Sequence, residues 1–351
     1  MQRSRLIDTI KGLAILLVIL GHISLTPTVL RIWIYSFHMP LFFICSGLTF
    51  SLCKYDSFLS FVKAKTKSIV FPYFSLGILL WLLSNLLQTA IHLYQGGSPI
   101  VWGFSDFVLS MLLGYRLHKY YFSLWFLCTL FFAEIIFYFI ESFVKRRLWI
   151  YFLTFILSIF GQWVVFLFAR GWYLSLDLVP AGIAFISLGR LFRTVDERHK
   201  TTFRKAWLLP FALGGSFLSC YSNFKFAGMT DLYFCDIGNP ILYAVAAFFG
   251  SWFVIILLSN IGEIRVIEYF GKNSLITYVF QNSFCIPAAT FITGIAGTPV
   301  ELLSDKTLQW LMIITITLGL SAVLIELINR CFPWMLGKSS PTAPPSPRAA
   351  L

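Results

Sequence analysis

The sequence predicts an all-α polytopic membrane protein with about ten transmembrane helices and both termini in the cytoplasm. Three observations support this fold class. First, 58% of the 351 residues are hydrophobic and 12% are charged, with a mean hydropathy of +0.81, whereas soluble domains carry roughly 25% charged residues. Second, apolar stretches long enough to cross a bilayer recur along the chain. Third, Lys and Arg concentrate in every second connecting segment. This pattern argues against a soluble enzyme or a disordered chain.

The apolar stretches define the predicted spans. A helix of about 20 residues crosses a hydrocarbon core of ~30 Å at 1.5 Å per residue. One further stretch, 100–114, contains Asp106 and is flanked by Gly and Pro. We interpret it as an interfacial or re-entrant segment, because a full span here would reverse the predicted orientation of every later span. The ten predicted spans are 6–25, 32–52, 69–91, 121–141, 148–168, 172–192, 206–221, 240–260, 266–294 and 308–328.

The distribution of basic residues sets the predicted orientation. Of the 27 Lys and Arg residues, Lys11 and Lys272 lie inside predicted spans, and most of the others lie in the two termini and in every second loop. Cytoplasmic loops are enriched in Lys and Arg, so both termini are predicted to be cytoplasmic. The alternate loops hold only Arg31, Arg116, Lys119, Arg170, Lys225 and Lys306.

The net charge of +12 therefore needs no nucleic-acid partner, because basic cytoplasmic loops beside anionic lipid headgroups account for it. The seven cysteines form no CxxC pair, and no metal site or disulfide framework is predicted from them. We expect the helices to be surrounded by the lipid bilayer.

The first span carries three ionisable residues, Asp8, Lys11 and His22. Such groups are costly inside a membrane and are candidates for function. Lys11 and His22 are eleven residues apart, which on a helix brings them within about 20° of the same face and separates them by roughly 16 Å. Taken singly, Lys11 could extend to the headgroups and His22 could mark the interface; their shared face favours a functional stripe.

Other polar groups stand out within apolar runs. In the second span, His38 precedes Pro40, which can kink a helix, and Ser46-Gly47 forms a small surface that suits helix packing or a thin acyl chain. Trp125 follows Ser123 at the start of the fourth span. Lys272-Asn273 interrupts the ninth span.

Two N-terminal runs carry a resemblance to a known family. The run R-L-I-D-x-x-K-G-L-A-I-L-L-V-I-L-G-H, followed by F-H-M-P-L-F-F-I-C-S-G, resembles the integral-membrane acyltransferase-3 family, with Lys11 and His22 filling its basic-x10-His pattern. Later stretches, S-L-W-F-L at 123–127, Y-L-S-L-D-L and L-G-R-L-F-R within 173–193, and F-G-K-N-S-L-I-T-Y-V-F-Q-N at 270–282, are similar to its fucose 4-O-acetylase-like branch. That branch often has a His where this chain has Gln281, and an amide is no general base.

The resemblance implies a membrane O-acyltransferase that uses acyl-CoA, typically acetyl-CoA, as donor substrate with no bound cofactor, and a sugar or glycan as acceptor. His22 is the expected general base, with a transient acyl-His intermediate as an alternative. Lys11, Asp8 and Arg5 are the expected donor-binding residues. The residues expected to orient the acceptor or stabilise the oxyanion are His38, Ser46, Trp125, Lys272 and Asn273.

The predicted domain comprises residues 1–337, followed by a disordered Pro/Ser-rich cytoplasmic tail, 338–351. The expected location is the plasma (inner) membrane of a bacterium, where the chain would be multi-pass. A transporter of a polysaccharide or small solute is the alternative function, although no internal repeat supports it. A non-catalytic membrane scaffold is a third possibility, and it would tolerate the loss of both Lys11 and His22.

Overall fold

The computed structural model describes residues 5–98, 103–114, 123–144, 146–168, 171–262, 264–296 and 305–338. Within these residues every regular element is a helix, and a single isolated bridge joins Asp231 to Asp236. The predicted all-α class is confirmed. The predicted tail beyond Lys338 and residues 100–102 of the short apolar stretch lie outside the described residues.

Fifteen α-helices follow one another in the described part of the chain, several of them joined by short 3-10 or π-helical segments. The first eight are α1 (Arg5–His22), α2 (Thr28–Tyr35), α3 (His38–Thr49), α4 (Phe58–Lys65), α5 (Phe71–Tyr94), α6 (Phe104–Leu113), α7 (Trp125–Phe143) and α8 (Arg147–Phe168). The remaining seven are α9 (Val179–Phe203), α10 (Leu209–Ala227), α11 (Pro240–Ile261), α12 (Arg265–Lys272), α13 (Ser274–Phe280), α14 (Ile286–Ala296) and α15 (Lys306–Cys331).

Seven helical stretches among the described residues are long and apolar enough to cross a membrane. Each coincides with one of the predicted spans. The other three predicted spans coincide with α1, α8 and α10, helices of 18, 22 and 19 residues, so the count of ten stays a prediction. The seven stretches are Thr28–Thr49, Phe58–Tyr94, Trp125–Phe143, Tyr173–His199, Pro240–Ile261, Ser274–Gly294 and Lys306–Cys331.

The short apolar stretch is a ten-residue helix, α6. At 1.5 Å per residue it is about 15 Å long, half of what a hydrocarbon core requires. The hydroxyl of Tyr73 on α5 donates to the carbonyl of Met111 at 2.6 Å. The structure thus agrees with a short segment packed against α5 rather than a full span.

The second predicted span is broken into α2 and α3 at Ser36 and Phe37. Pro40 occupies the first turn of α3, where its missing N–H would have bonded the carbonyl of Ser36 in a continuous helix. The break therefore falls one turn before the proline. It makes His38 the first residue of α3.

Two π-helical segments interrupt other spans. Thr66–Val70 joins α4 to α5, and Gln281–Cys285 joins α13 to α14. Such segments widen one turn and redirect side chains, and they are frequent at functional sites. Both contribute side chains to the cavities described below.

The first helix packs closely against α12 through glycines. A Cβ atom on Gly12 would collide with the Ile267 carbonyl oxygen, and one on Gly271 would collide with the Asp8 carbonyl oxygen. Glycine is thus required on both sides of the crossing. The crossing places Lys11 and Lys272, the neighbours of these glycines, at the same end of the fold.

A second glycine crossing joins α3 to α9. A Cβ atom on Gly47 would collide with the Ile186 carbonyl oxygen, and one on Gly189 would collide with the Ile44 carbonyl oxygen. Of the two uses predicted for the Ser46-Gly47 surface, Gly47 serves helix packing.

We expect Gly47→Ala to destabilise the protein, because the added methyl forces α3 away from α9. Overpacking of this kind costs about 1–3 kcal/mol. The measurement is thermal unfolding in detergent. Gly214→Ala on α10 is the matched control, since a Cβ there meets none of the described atoms within 4 Å. Equal stability of the two variants would contradict the close crossing.

Candidate active site

Two cavities lie beside α1, and each contains one end of its polar stripe. The His22 cavity has a volume of about 250 Å³, and the Lys11 cavity about 400 Å³. The His22 cavity is lined by His22, Tyr35, His38, Met39, Ser123, Trp125, Asp231, Tyr233, Phe234, Tyr278, Gln281 and Asn282. The Lys11 cavity is lined by Lys11, Phe42, Ser46, Thr49, Lys65, Ser68, Ile69, Phe126, Leu127, Leu130, Glu134, Lys272, Asn273, Ser274, Leu275, Ile276, Tyr278, Leu336 and Lys338.

The imidazole of His22, at the last position of α1, is held by its own helix. Its Nδ1 lies 2.8 Å from the Val18 carbonyl oxygen. A carbonyl oxygen can only accept, so Nδ1 carries the proton and the neutral ring keeps its lone pair on Nε2. The ring is therefore in the tautomer that a proton acceptor needs at Nε2.

His38 repeats this arrangement on α3. Its Nδ1 lies 2.8 Å from the Ile34 carbonyl oxygen, across the break between α2 and α3. The ring of Tyr35 lies between the two imidazoles, with centroid distances of 5.9 Å to His22 and 4.9 Å to His38. The helix break thus brings two imidazoles to one cavity.

The amide of Gln281 also faces the His22 cavity. Its side chain is 1% exposed, and its Oε1 has no hydrogen-bond partner among the described residues. A buried amide oxygen without a partner is costly. Because Gln281 begins a π-helical segment, the local backbone directs this group into the cavity.

The loop 228–239 closes one side of the His22 cavity, and sequence reasoning gave it no role. Two backbone hydrogen bonds pair Asp231 with Asp236, at 2.7 and 3.0 Å. The buried Asn223 holds the loop by donating to the Ile237 carbonyl at 2.9 Å. Asp231 and Tyr233 thereby reach the cavity wall. No local pattern marked these residues, because a loop between two helices carries no periodicity.

The Lys11 cavity is positively charged. Among the described residues that line it, four are lysines and one, Glu134, is acidic. Lys65 forms an ion pair with Glu134 at 2.7 Å, and the hydroxyl of Ser46 donates to the other oxygen of the same carboxylate. In the sequence, Glu134 is an acidic residue within an apolar stretch. The four lysines are Lys11, Lys65, Lys272 and Lys338.

A polar chain beside this cavity links Lys338, Asn329 on α15 and Asn273 at the break between α12 and α13. Lys338 Nζ donates to Asn329 Oδ1 at 3.0 Å, and Asn329 Nδ2 donates to Asn273 Oδ1 at 2.8 Å. Lys272 pairs with Glu268 at 2.5 Å. The break between α12 and α13 therefore serves to expose Lys272 and Asn273 at the cavity rather than inside an unbroken span.

Crowding of positive charge extends beyond the cavity wall. Lys54, in the loop after α3, donates to the carbonyl of Thr49 at 2.9 Å. Its pKa is lowered, first by partial burial and then by the positive charges of Lys65 and Arg193. A region that disfavours one more cation favours an anion.

The structure divides the predicted site residues between the two cavities. The predicted base, His22, has two of the predicted acceptor residues beside it, His38 and Trp125. The other three predicted acceptor or oxyanion residues lie instead with the predicted donor residue Lys11: Ser46, Lys272 and Asn273.

The two remaining predicted donor residues line neither of these cavities. Arg5 is exposed at the start of α1. Asp8 is 1% exposed and its backbone lies against Gly271 at the α1–α12 crossing. Their predicted role in donor binding stays a prediction.

Comparisons with known proteins give one positive finding. The family model described as an acyltransferase domain, Acyl_transf_3, matches residues 5–326. No curated protein and no solved structure matches the chain significantly.

We expect Lys65→Met and Glu134→Gln each to lower the thermal stability, and the double variant to recover part of the loss. Breaking a buried ion pair leaves one charge uncompensated and costs about 3–5 kcal/mol, whereas replacing both charges is often nearly neutral. Thermal unfolding of the wild type and the three variants gives the coupling directly. Additive losses in the double variant would show that the two side chains act independently.

Proposed function

The chain belongs to the acyltransferase 3 family, and from this membership we propose that it is a membrane-bound O-acetyltransferase. It moves an acetyl group from cytoplasmic acetyl-CoA to a hydroxyl of a sugar in a cell-surface or lipid-linked glycan. The observation that carries the proposal is the division of one helix face between two cavities. Lys11 lies in a cationic cavity and His22, eleven residues later, lies in a cavity with a second imidazole.

The donor binds at the Lys11 cavity. Coenzyme A carries several phosphate charges, and lysines bind such anions through charge-assisted hydrogen bonds. The positive charge comes from four lysines, Lys11, Lys65, Lys272 and Lys338. Because Ser46 and Asn273 line the same cavity, we assign them to donor binding rather than to acceptor binding. The roughly 16 Å along α1 between Lys11 and His22 is on the scale of the extended arm that carries the thioester.

The acceptor binds at the His22 cavity, which the distribution of basic residues directs to the outer side of the membrane. His22 Nε2 accepts the proton of the sugar hydroxyl as its oxygen attacks the thioester carbonyl. The tetrahedral intermediate collapses when the carbon–sulfur bond breaks. The thiolate of coenzyme A leaves and takes the proton back from His22.

Other groups of the His22 cavity position the acceptor. Gln281 offers its buried amide oxygen to a second sugar hydroxyl, which would satisfy the unpaired Oε1. Trp125 and Tyr233, in edge contact at 6.1 Å, offer aromatic walls to a sugar ring. An amide at position 281 thus binds the acceptor without acting as a base.

The host and the kind of acceptor are proposed from the resemblance to acyltransferases of extracytoplasmic glycans. We propose that the sugar is presented at the outer face of a bacterial inner membrane. Seven helical stretches among the described residues that are long and apolar enough to cross a membrane support a multi-pass protein.

We expect His22→Ala to abolish transfer of radiolabelled acetyl groups from acetyl-CoA to glycan in membranes, with a loss of about 10²–10⁴-fold, the range typical of a missing general base. His199→Ala is the matched control, since His199 is exposed and lines neither cavity. Full activity of the His22 variant at equal expression would show that His22 is not the general base.

The same assay separates the enzyme from a transporter. Label from acetyl-CoA in glycan, lost with His22→Ala, supports acyl transfer. Absence of label across a range of glycans and acyl-CoA lengths would favour the transporter of a polysaccharide or small solute. In that case solute uptake would proceed without acyl-CoA.

We expect Lys11→Gln to raise the KM for acetyl-CoA by about tenfold, since one charge-assisted contact to a phosphate is worth roughly 1.5–3 kcal/mol. The kcat should fall far less, because Lys11 lies about 16 Å from the reacting carbonyl. Steady-state kinetics against acetyl-CoA give both constants. Lys225→Gln, an exposed lysine on α10 outside both cavities, is the control. A fall in kcat at unchanged KM would contradict donor binding by Lys11.

A further inference from the structure

Three aromatic rings stand at the boundary between the two cavities. Tyr278 lines both of them. On α3, Met39 lines the His22 cavity and Phe42, one turn later, lines the Lys11 cavity. On α7, Trp125 lines the His22 cavity and its neighbour Phe126 lines the Lys11 cavity. The cavities therefore meet at Phe42, Phe126 and Tyr278, which we call the aromatic partition.

The rings of the partition are in mutual contact. Their centroids are 5.8 Å apart for Phe42 and Phe126, 5.3 Å for Phe126 and Tyr278, and 6.4 Å for Phe42 and Tyr278. Aromatic rings at 4.5–7 Å touch, and all three side chains are buried. The three rings therefore form one contacting group where the two cavities meet.

Neighbouring groups support the partition unequally. Phe126 is backed by Phe43, with centroids 4.9 Å apart, and by Trp125, at 6.0 Å. Tyr278 belongs to α13, a seven-residue helix that ends at the π-helical segment carrying Gln281. The partition thus has one side fixed in the packed core and one side on a short helix with an irregular turn. Rotation of Tyr278 would open it without moving a spanning helix.

The following inference rests on the proposed function, in which the partition lies between the donor and the acceptor. A thioester whose phosphates stay in the Lys11 cavity must pass these rings to reach His22. Whatever passes must then share a volume of about 250 Å³ with the acceptor hydroxyl. The arm that carries the thioester must pass the rings as well, so among donors that share coenzyme A the acyl group is the part whose size differs.

We propose that Phe42, Phe126 and Tyr278 determine acyl-chain specificity, admitting a short acyl thioester to the His22 cavity and excluding longer ones. The partition also keeps the two cavities from forming a continuous aqueous path across the membrane. We expect the removal of Phe126 to enlarge the passage most, because Phe126 makes the two shortest ring contacts, at 5.3 and 5.8 Å.

The first test compares acetyl-, butyryl- and hexanoyl-CoA as donors. We expect Phe126→Ala and Phe42→Ala to raise the kcat/KM for butyryl-CoA relative to acetyl-CoA by about tenfold or more, since two methylenes in a confining site discriminate by at least that factor. Tyr278→Phe keeps the ring and should keep the wild-type ratio. Phe143→Ala is the matched control on α7, because Phe143 is 79% exposed. An unchanged ratio in active Phe126→Ala and Phe42→Ala enzymes would overturn the proposal.

The second test needs no acyl transfer. Ser123→Cys places a thiol in the wall of the His22 cavity, and an impermeant thiol reagent is added to right-side-out and to inside-out vesicles. We expect labelling of that peptide, read by mass spectrometry, from one side in the wild-type background and from both sides with Phe126→Ala. Labelling from both sides with the partition intact would overturn it.

The two tests also separate this inference from the proposed function. Two-sided labelling caused by Phe126→Ala, with no acyl transfer from any donor, would retain the partition and reject the acyltransferase. Acyl transfer with an unchanged chain-length ratio would retain the enzyme and reject the partition as its selector.

Discussion

A helix that carries Asp8, Lys11 and His22 on one face cannot turn that face to lipid, and the rest of the architecture depends on this constraint. Each such group costs several kcal/mol in hydrocarbon unless protein encloses it. Accordingly, α1 packs against α3, α11, α12 and α13. The glycines at the α1–α12 crossing bring the backbones together, so that Lys11 and Lys272 line one cavity.

Because protein encloses this face of α1, the two ends of the helix have different polar surroundings. At one end four lysines line the cavity that holds the buried carboxylate of Glu134, and the pKa of nearby Lys54 is lowered first by partial burial and then by neighbouring positive charges. At the other end two imidazoles lie with their Nδ1 atoms held by backbone carbonyls. Aromatic rings separate the ends. The two ends of α1 thus have different chemical environments, as the proposed charged donor and uncharged hydroxyl acceptor require.

Much of this could be predicted from the sequence, because the signals are local. Apolar length placed a helix at each of the ten predicted spans, and the spacing of Lys11 and His22 placed them on one face. Pro40 predicted a kink in the second span. The observed break between α2 and α3 falls one turn earlier, at Ser36, whose carbonyl Pro40 cannot bond.

What the sequence left open depends on contacts between distant segments. Nothing near Ser46 indicates that Glu134, on another helix, accepts its hydrogen bond and that both belong to the lysine end. Similarly, Tyr278 is one aromatic residue among many until packing sets it between the cavities. The loop bearing Asp231 reaches the His22 cavity through Asn223, a single buried amide without a sequence pattern.

The central claim is that donor and acceptor meet across the length of α1, and a structure with bound donor analogue tests it most directly. The measurement is electron cryomicroscopy of the protein with a non-hydrolysable thioether analogue of acetyl-CoA. We predict the phosphates among Lys11, Lys65, Lys272 and Lys338, with the arm pointing along α1 towards Phe126 and Tyr278. Phosphates bound in the His22 cavity, or an arm directed away from the three rings, would contradict the account.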